Sequence, residues 1–184
     1  MVSPSDAVKP APDFTKMNSY ARLKQQFEEH LDRYNIQRNK AIKLLIKVAE
    51  TCIQQHGVPA ENIFVHPASA EILEGPTHSV MLVIEQKPNG AWGLNLNIQV
   101  GKRSEGNGYM VVVVRPEIYF NGSELELGFV DDLERVCLQD VEAEYAKATE
   151  VLAGRIMDRV SKMIVHLEKG DSELRSQIVF HPNE

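Results

Sequence analysis

The sequence predicts an α+β fold: an antiparallel β-meander of four to six strands, covered on one face by two long helices, one N-terminal and one C-terminal. Three observations predict it. Between Ser79 and Val130, four or five apolar runs alternate with short turns. Within that stretch Trp92, Leu94, Leu96, Ile98 and Val100 alternate with Gly93, Asn95, Asn97 and Gln99, the period-two pattern of a strand with one apolar and one amide-rich face. On either side of it, apolar residues recur three and four apart, the period of a helix.

The first helix is expected from about Asn18. Its apolar row is Tyr20, Leu23, Phe27, Leu31 and Tyr34, resuming at Ala41, Ile42, Leu45, Val48, Ala49, Cys52 and Ile53. Tyr34–Asn39 is its weakest patch and a place where it could break, while Gly57 followed by Pro59 stops it. Met1–Met17 carries Pro4, Pro10 and Pro12 and no apolar run, so it reads as a loose arm and leaves 18–184 as one α+β domain. Ile63–His66, closed by Pro67, reads as an edge strand, and Ala68–Gly75 as a loop or one helical turn.

Val80–Glu85 is almost wholly apolar and reads as a central strand. Lys87-Pro-Asn-Gly90 is a turn, and Trp92–Val100 follows as a single strand with its amides outward. Gly101–Gly108 reads as a mobile hairpin loop, and Tyr109–Arg115 as a strand that Pro116 bends or interrupts. Ile118–Phe120 and Leu125–Phe129 form a hairpin about Asn121-Gly122. The second helix is expected from Asp131 or Asp132, with Glu134 in a capping position, to Lys169-Gly170. Its row is Leu133, Cys137, Val141, Tyr145, Ala148, Leu152, Ile156, Val160, Met163 and Leu167, and Gln177–His181 closes the chain as a short strand.

A chain of 184 residues, 43% of them hydrophobic, can bury a proper core. The 20 lysines and arginines against 26 acids give a net charge of −6, which disfavours binding to nucleic-acid phosphates or anionic lipid. The sequence shows no secretory signal and no apolar stretch of membrane-spanning length. Cys52 and Cys137 are too far apart for a metal knuckle or redox pair and read as buried thiols in a reducing, cytoplasmic setting. No metal or cofactor spacing is present. His66, His78 and His181 would converge only if the first and last strands lay beside Val80–Glu85.

Three functional readings follow. The leading one is a non-enzymatic protein-binding module (adaptor, chaperone-like or inhibitor) acting as a homodimer. A second helix longer than the sheet would overhang it, and the apolar row on the overhang needs the first helix, a bend or a second copy to cover it. Candidate binding residues are Trp92, Asn95 and Asn97 on the strand, and Lys40, Lys43 and Lys47 on one face of the first helix. In its architecture, helices on a meander in a small acidic chain, the protein resembles bacterial secretion chaperones, although the element order differs. The second reading is a small metal-dependent hydrolase. Glu85-Gln-Lys87 resembles the Glu-x-Lys of restriction-endonuclease-type nucleases, which implies a carboxylate on a divalent cation and an ammonium steadying the attacking water, with Glu71 or Glu74 as a further acid. The third is a small-ligand carrier whose pocket is gated by Trp92.

Overall fold

A computed structural model of the chain describes residues 19–69, 79–101, 109–130, 134–168 and 178–181. The expected N-terminal arm, Glu71, Glu74, His78, the loop over 102–108, the helix start at Asp131 or Asp132 and the stop at Lys169-Gly170 lie outside the described residues. The chain forms two compact units, Met1–Ile36 and Gln37–Glu184. Helix α1, Ser19–His56, is continuous through Tyr34–Asn39, and that weak patch is where the two units divide. In the first unit most of the apolar row of α1 is exposed: Tyr20 and Leu23 are 76% and 64% accessible, Phe27 64% and Leu31 43%, while Tyr34 is half-buried.

In the second unit, α1 buries Ala41, Ile42, Leu44, Leu45, Val48 and Cys52 and ends at Gly57, whose φ of 68° is the left-handed conformation that closes a helix. After a 3-10 turn at Ala60–Asn62 come β1 (Ile63–His66), α2 (Val80–Val83), β2 (Glu85–Gln86), β3 (Trp92–Gly93), β4 (Asn95–Val100), β5 (Tyr109–Val114), β6 (Pro116–Asn121), β7 (Glu124–Phe129), β8 (Val136–Gln139), α3 (Glu142–Glu168) and β9 (Ile178–His181). The class is α+β, and among the described residues every strand pair is antiparallel, as the sequence predicts. Among the described residues no helix is long and apolar enough to cross a membrane.

The strands divide between two sheets, in the orders β1-β4-β5-β9 and β2-β3-β6-β7-β8. Trp92–Val100 therefore serves both. Its pairing nevertheless keeps one register across the divide, with Trp92 opposite Ile118, Gly93 opposite Glu117, Leu96 opposite Val114 and Val100 opposite Met110. The two sheets are thus the two ends of one long hairpin, interrupted at Leu94 on one arm and at Arg115 on the other. Pro116 sits at this point, as a residue without an amide donor should. Gly93 sits there too: a Cβ on it would lie 2.9 Å from the Pro116 carbonyl oxygen, so only glycine fits without a shift.

Further departures have local causes. Val80–Val83 is a helical turn, not a central strand, because the Ser79 side chain caps it by accepting from the Met81 amide at 3.3 Å. The five-residue apolar run Val80–Ile84 has no period of its own to resist this. Met81 and Leu82 are exposed. The C-terminal helix starts at Glu142, later than expected, because Val136–Gln139 is taken up as a strand against β7. Cys137 is accordingly exposed, while Cys52 is buried as expected. Within α3 the row holds at Ala148, Leu152, Ile156, Val160 and Met163, which are buried, while Tyr145 is half-buried and Val141, ahead of the helix, is exposed; α3 lies against β5, β7 and β8.

Candidate functional site

The amides of β4 do not face outward. Asn95 and Asn97 are both fully buried, as are Leu94, Leu96 and Ile98 on the other face, so both sides of this strand are interior. The correction follows from topology: β4 lies between β1 and β5 in a sheet shielded on both sides. Asn95 has a structural task there, since its Nδ2 donates to the Pro67 carbonyl at 2.9 Å and ties down the chain leaving β1. Trp92 is likewise fully buried, in a position to fill the core and not to gate a pocket from the surface. His66 is buried on β1, and β1 and β9 are opposite edges of their sheet, so the strands bearing His66 and His181 are held apart by β4 and β5.

The three lysines do come together. Lys40, Lys43 and Lys47 line a recess of about 250 Å³ with Leu44, Asp140, Glu142 and Tyr145. Helical spacing sets all three on the face beside the buried row of α1. Lys40 is committed: its Nζ lies 2.6 Å from Asp140 Oδ2 and 5.8 Å from the centre of the Phe120 ring. The Tyr145 hydroxyl donates to the other Asp140 oxygen, and burial, then that carboxylate, push the Tyr145 pKa well up. Lys43 and Lys47 are exposed on the rim, which Glu142 also lines.

Glu85 and Lys87 are engaged separately. Ser69 donates to Glu85 through its amide and its hydroxyl, at 3.1 and 3.0 Å. Lys87 instead pairs with Glu117, 3.0 Å away and only 4% accessible as a residue. Among the described residues no three His, Cys, Asp or Glu side chains converge as a metal site would require. Glu117 is the centre of a cluster that the sequence reading missed. Its other oxygen accepts from the Tyr119 hydroxyl at 2.7 Å, and that hydroxyl accepts from Asn89 and Arg135 at 2.8 and 2.9 Å. Arg135 also stacks on the Tyr119 ring at 3.8 Å and pairs with Glu126 at 3.2 Å.

Two glycines make this cluster possible. Glu117 on β6 stands between Gly93 on β3 and Gly128 on β7. A Cβ at Gly93 would lie 3.3 Å from Lys87 Cε, and one at Gly128 would lie 3.2 Å from Arg135 Cγ. The two cationic stems thus lie over bare backbone on either side of the carboxylate. Burial raises the Glu117 pKa, but the Tyr119 and Lys87 hydrogen bonds outweigh it and the net shift is downward. The Tyr119 pKa moves up, through burial and then Glu117. The carboxylate is ionised and the phenol protonated at neutral pH, so neither is set to exchange a proton there. The cluster locks the sheet.

A further recess of about 260 Å³ is lined by Phe129, Glu134, Arg155, Asp158, Arg159 and Lys162. Arg155 and Arg159 approach the Phe129 ring at 5.4 and 5.1 Å, and Arg155 donates to the Glu134 carbonyl at 3.0 Å. Its charges are mixed, like those of the lysine recess. No family model, curated protein or solved structure matches this chain.

Proposed function

We propose that this chain is a non-enzymatic protein-binding module, of adaptor, chaperone-like or inhibitor type, that works as a homodimer through the N-terminal half of α1. One observation carries the reading. Tyr20, Leu23, Phe27 and Leu31 form a continuous apolar row over about three helical turns, each more than two-fifths accessible. Scattered apolar residues at a surface are ordinary, but a periodic row of this size is the signature of a covered helix face. A reducing, cytoplasmic setting belongs to the proposal as well, because Cys137 is a free thiol at the surface.

The test is Phe27→Asp. A docking row predicts loss of concentration-dependent association with no change in melting temperature at dilutions where the chain is monomeric. If the row belongs to the chain's own core, the charge lowers the melting temperature at every concentration, and the reading fails.

A further inference from the structure

Resting on that reading, we infer that the second copy docks antiparallel, with Phe27 on the two-fold axis. The order Tyr20, Leu23, Phe27, Leu31, Tyr34 is the same read from either end, and the intervals are three, four, four and three. Such a row is self-complementary. Laid head to tail on itself, it sets Tyr20 against Tyr34, Leu23 against Leu31 and Phe27 against Phe27, so each contact is made twice, as an isologous interface requires.

Both directions of pairing would match this row to itself, and the flanking residues choose between them. At about 100° per residue, Lys24 and Glu28 lie immediately beside the row on one side, and Gln26 and His30 beside it on the other. Arg22, Asp32 and Arg33 point further round, away from the seam. In an antiparallel pair like flank meets like flank, which brings Lys24 of each copy to Glu28 of the other. A parallel pair would face Lys24 and Glu28 with Gln26 and His30, leaving both charges unmatched. Lys24 and Glu28 are 63% and 60% accessible and 3.7 Å apart within one helix, so both are free to turn to a second copy. A row this short, with Tyr34 half-buried, sits near the threshold of a specific interface, about 1,000 Å² of total buried area, so the dimer should dissociate on dilution.

Single cysteines in the full chain test the geometry. Cys137→Ser removes the exposed thiol, and Cys52, buried with its pKa pushed up to about 11, stays unreactive. In that background Phe27→Cys should oxidise to a covalent dimer. Tyr20→Cys alone should not, whereas a mixture of Tyr20→Cys and Tyr34→Cys chains should cross-link. Sedimentation of the unmodified chain should show a monomer–dimer equilibrium. Lys24→Glu should weaken it about tenfold and Glu28→Lys added to it should restore it. Cross-linking of Tyr20→Cys by itself would overturn the antiparallel arrangement while leaving the docking reading intact. A chain that stays monomeric at every concentration would overturn the homodimer itself, and with it both the proposed function and this geometry, as would a fall in the melting temperature of Phe27→Asp at dilutions where the chain is monomeric.

Discussion

The two halves of α1 carry the same apolar period and meet opposite fates. From Gln37 onward the row is buried, with Leu44 and Val48 each 1% accessible. Before Ile36 it is exposed from Tyr20, at 76%, to Leu31, at 43%. Periodicity therefore identifies a face that must be covered and is silent about what covers it. In the second unit the chain supplies its own cover, and in the first the row is exposed among the described residues, which is what the proposed docking builds on. Polar groups divide the same way. Lys87 finds Glu117 within its own sheet, while Lys43 and Lys47 stay in solvent at the rim of their recess.

The comparison breaks most easily at Leu44. Leu44→Ala should cost about 2–5 kcal/mol in denaturant unfolding, the lost burial plus a cavity. A cost below 1 kcal/mol would mean that this half of α1 is no more covered than the other. Lys87→Met comes next, at about 2–3 kcal/mol, because it leaves Glu117 buried without its cation. The sign of the pH dependence follows from the lowered Glu117 pKa. The folded chain binds its proton less readily than the unfolded one, so the stabilisation is complete above the ordinary glutamate value of about 4.5 and is lost as pH falls through the folded value. Glu117→Gln should flatten the acid limb of the stability curve, and an unchanged limb would count against the assignment. Gly93→Ala should cost about 1–2 kcal/mol by pressing a methyl on the Pro116 carbonyl and the Lys87 stem. Wild-type stability in that variant would deny the close approach.

Much of the scaffold was legible because local chemistry and fold agree. Gly57, Gly90 and Gly122 turn the chain where expected, and the β4–β5 and β6–β7 pairs and the α3 row form as their patterns predict. What escaped depends on register. That Glu117 would lie between Gly93 and Gly128 is invisible until the strands are aligned, and only then do Lys87 and Arg135 become its neighbours. The amides at Asn95 and Asn97 look outward in the sequence because polar residues on alternate positions ordinarily face water. Here they are interior, and the 2.9 Å bond to Pro67 shows why Asn95 is tolerated. The Lys40, Lys43 and Lys47 face was readable from spacing alone, but the Asp140 that claims Lys40 came from a link expected to be helix.

The smallest expected effect is the sharpest. Leu23→Ala makes the same chemical change as Leu44→Ala, in the same helix, on a residue 64% accessible. In dilute protein it should alter unfolding by no more than about 0.5 kcal/mol, as surface substitutions do. At higher concentration its cost should grow, because a partner that binds only the folded chain adds stability by mass action, and the variant forfeits part of that gain. Leu44→Ala should cost the same at every concentration, since its cover travels with the chain. If the two variants respond alike to concentration, the halves of α1 do not differ in the way their exposure implies.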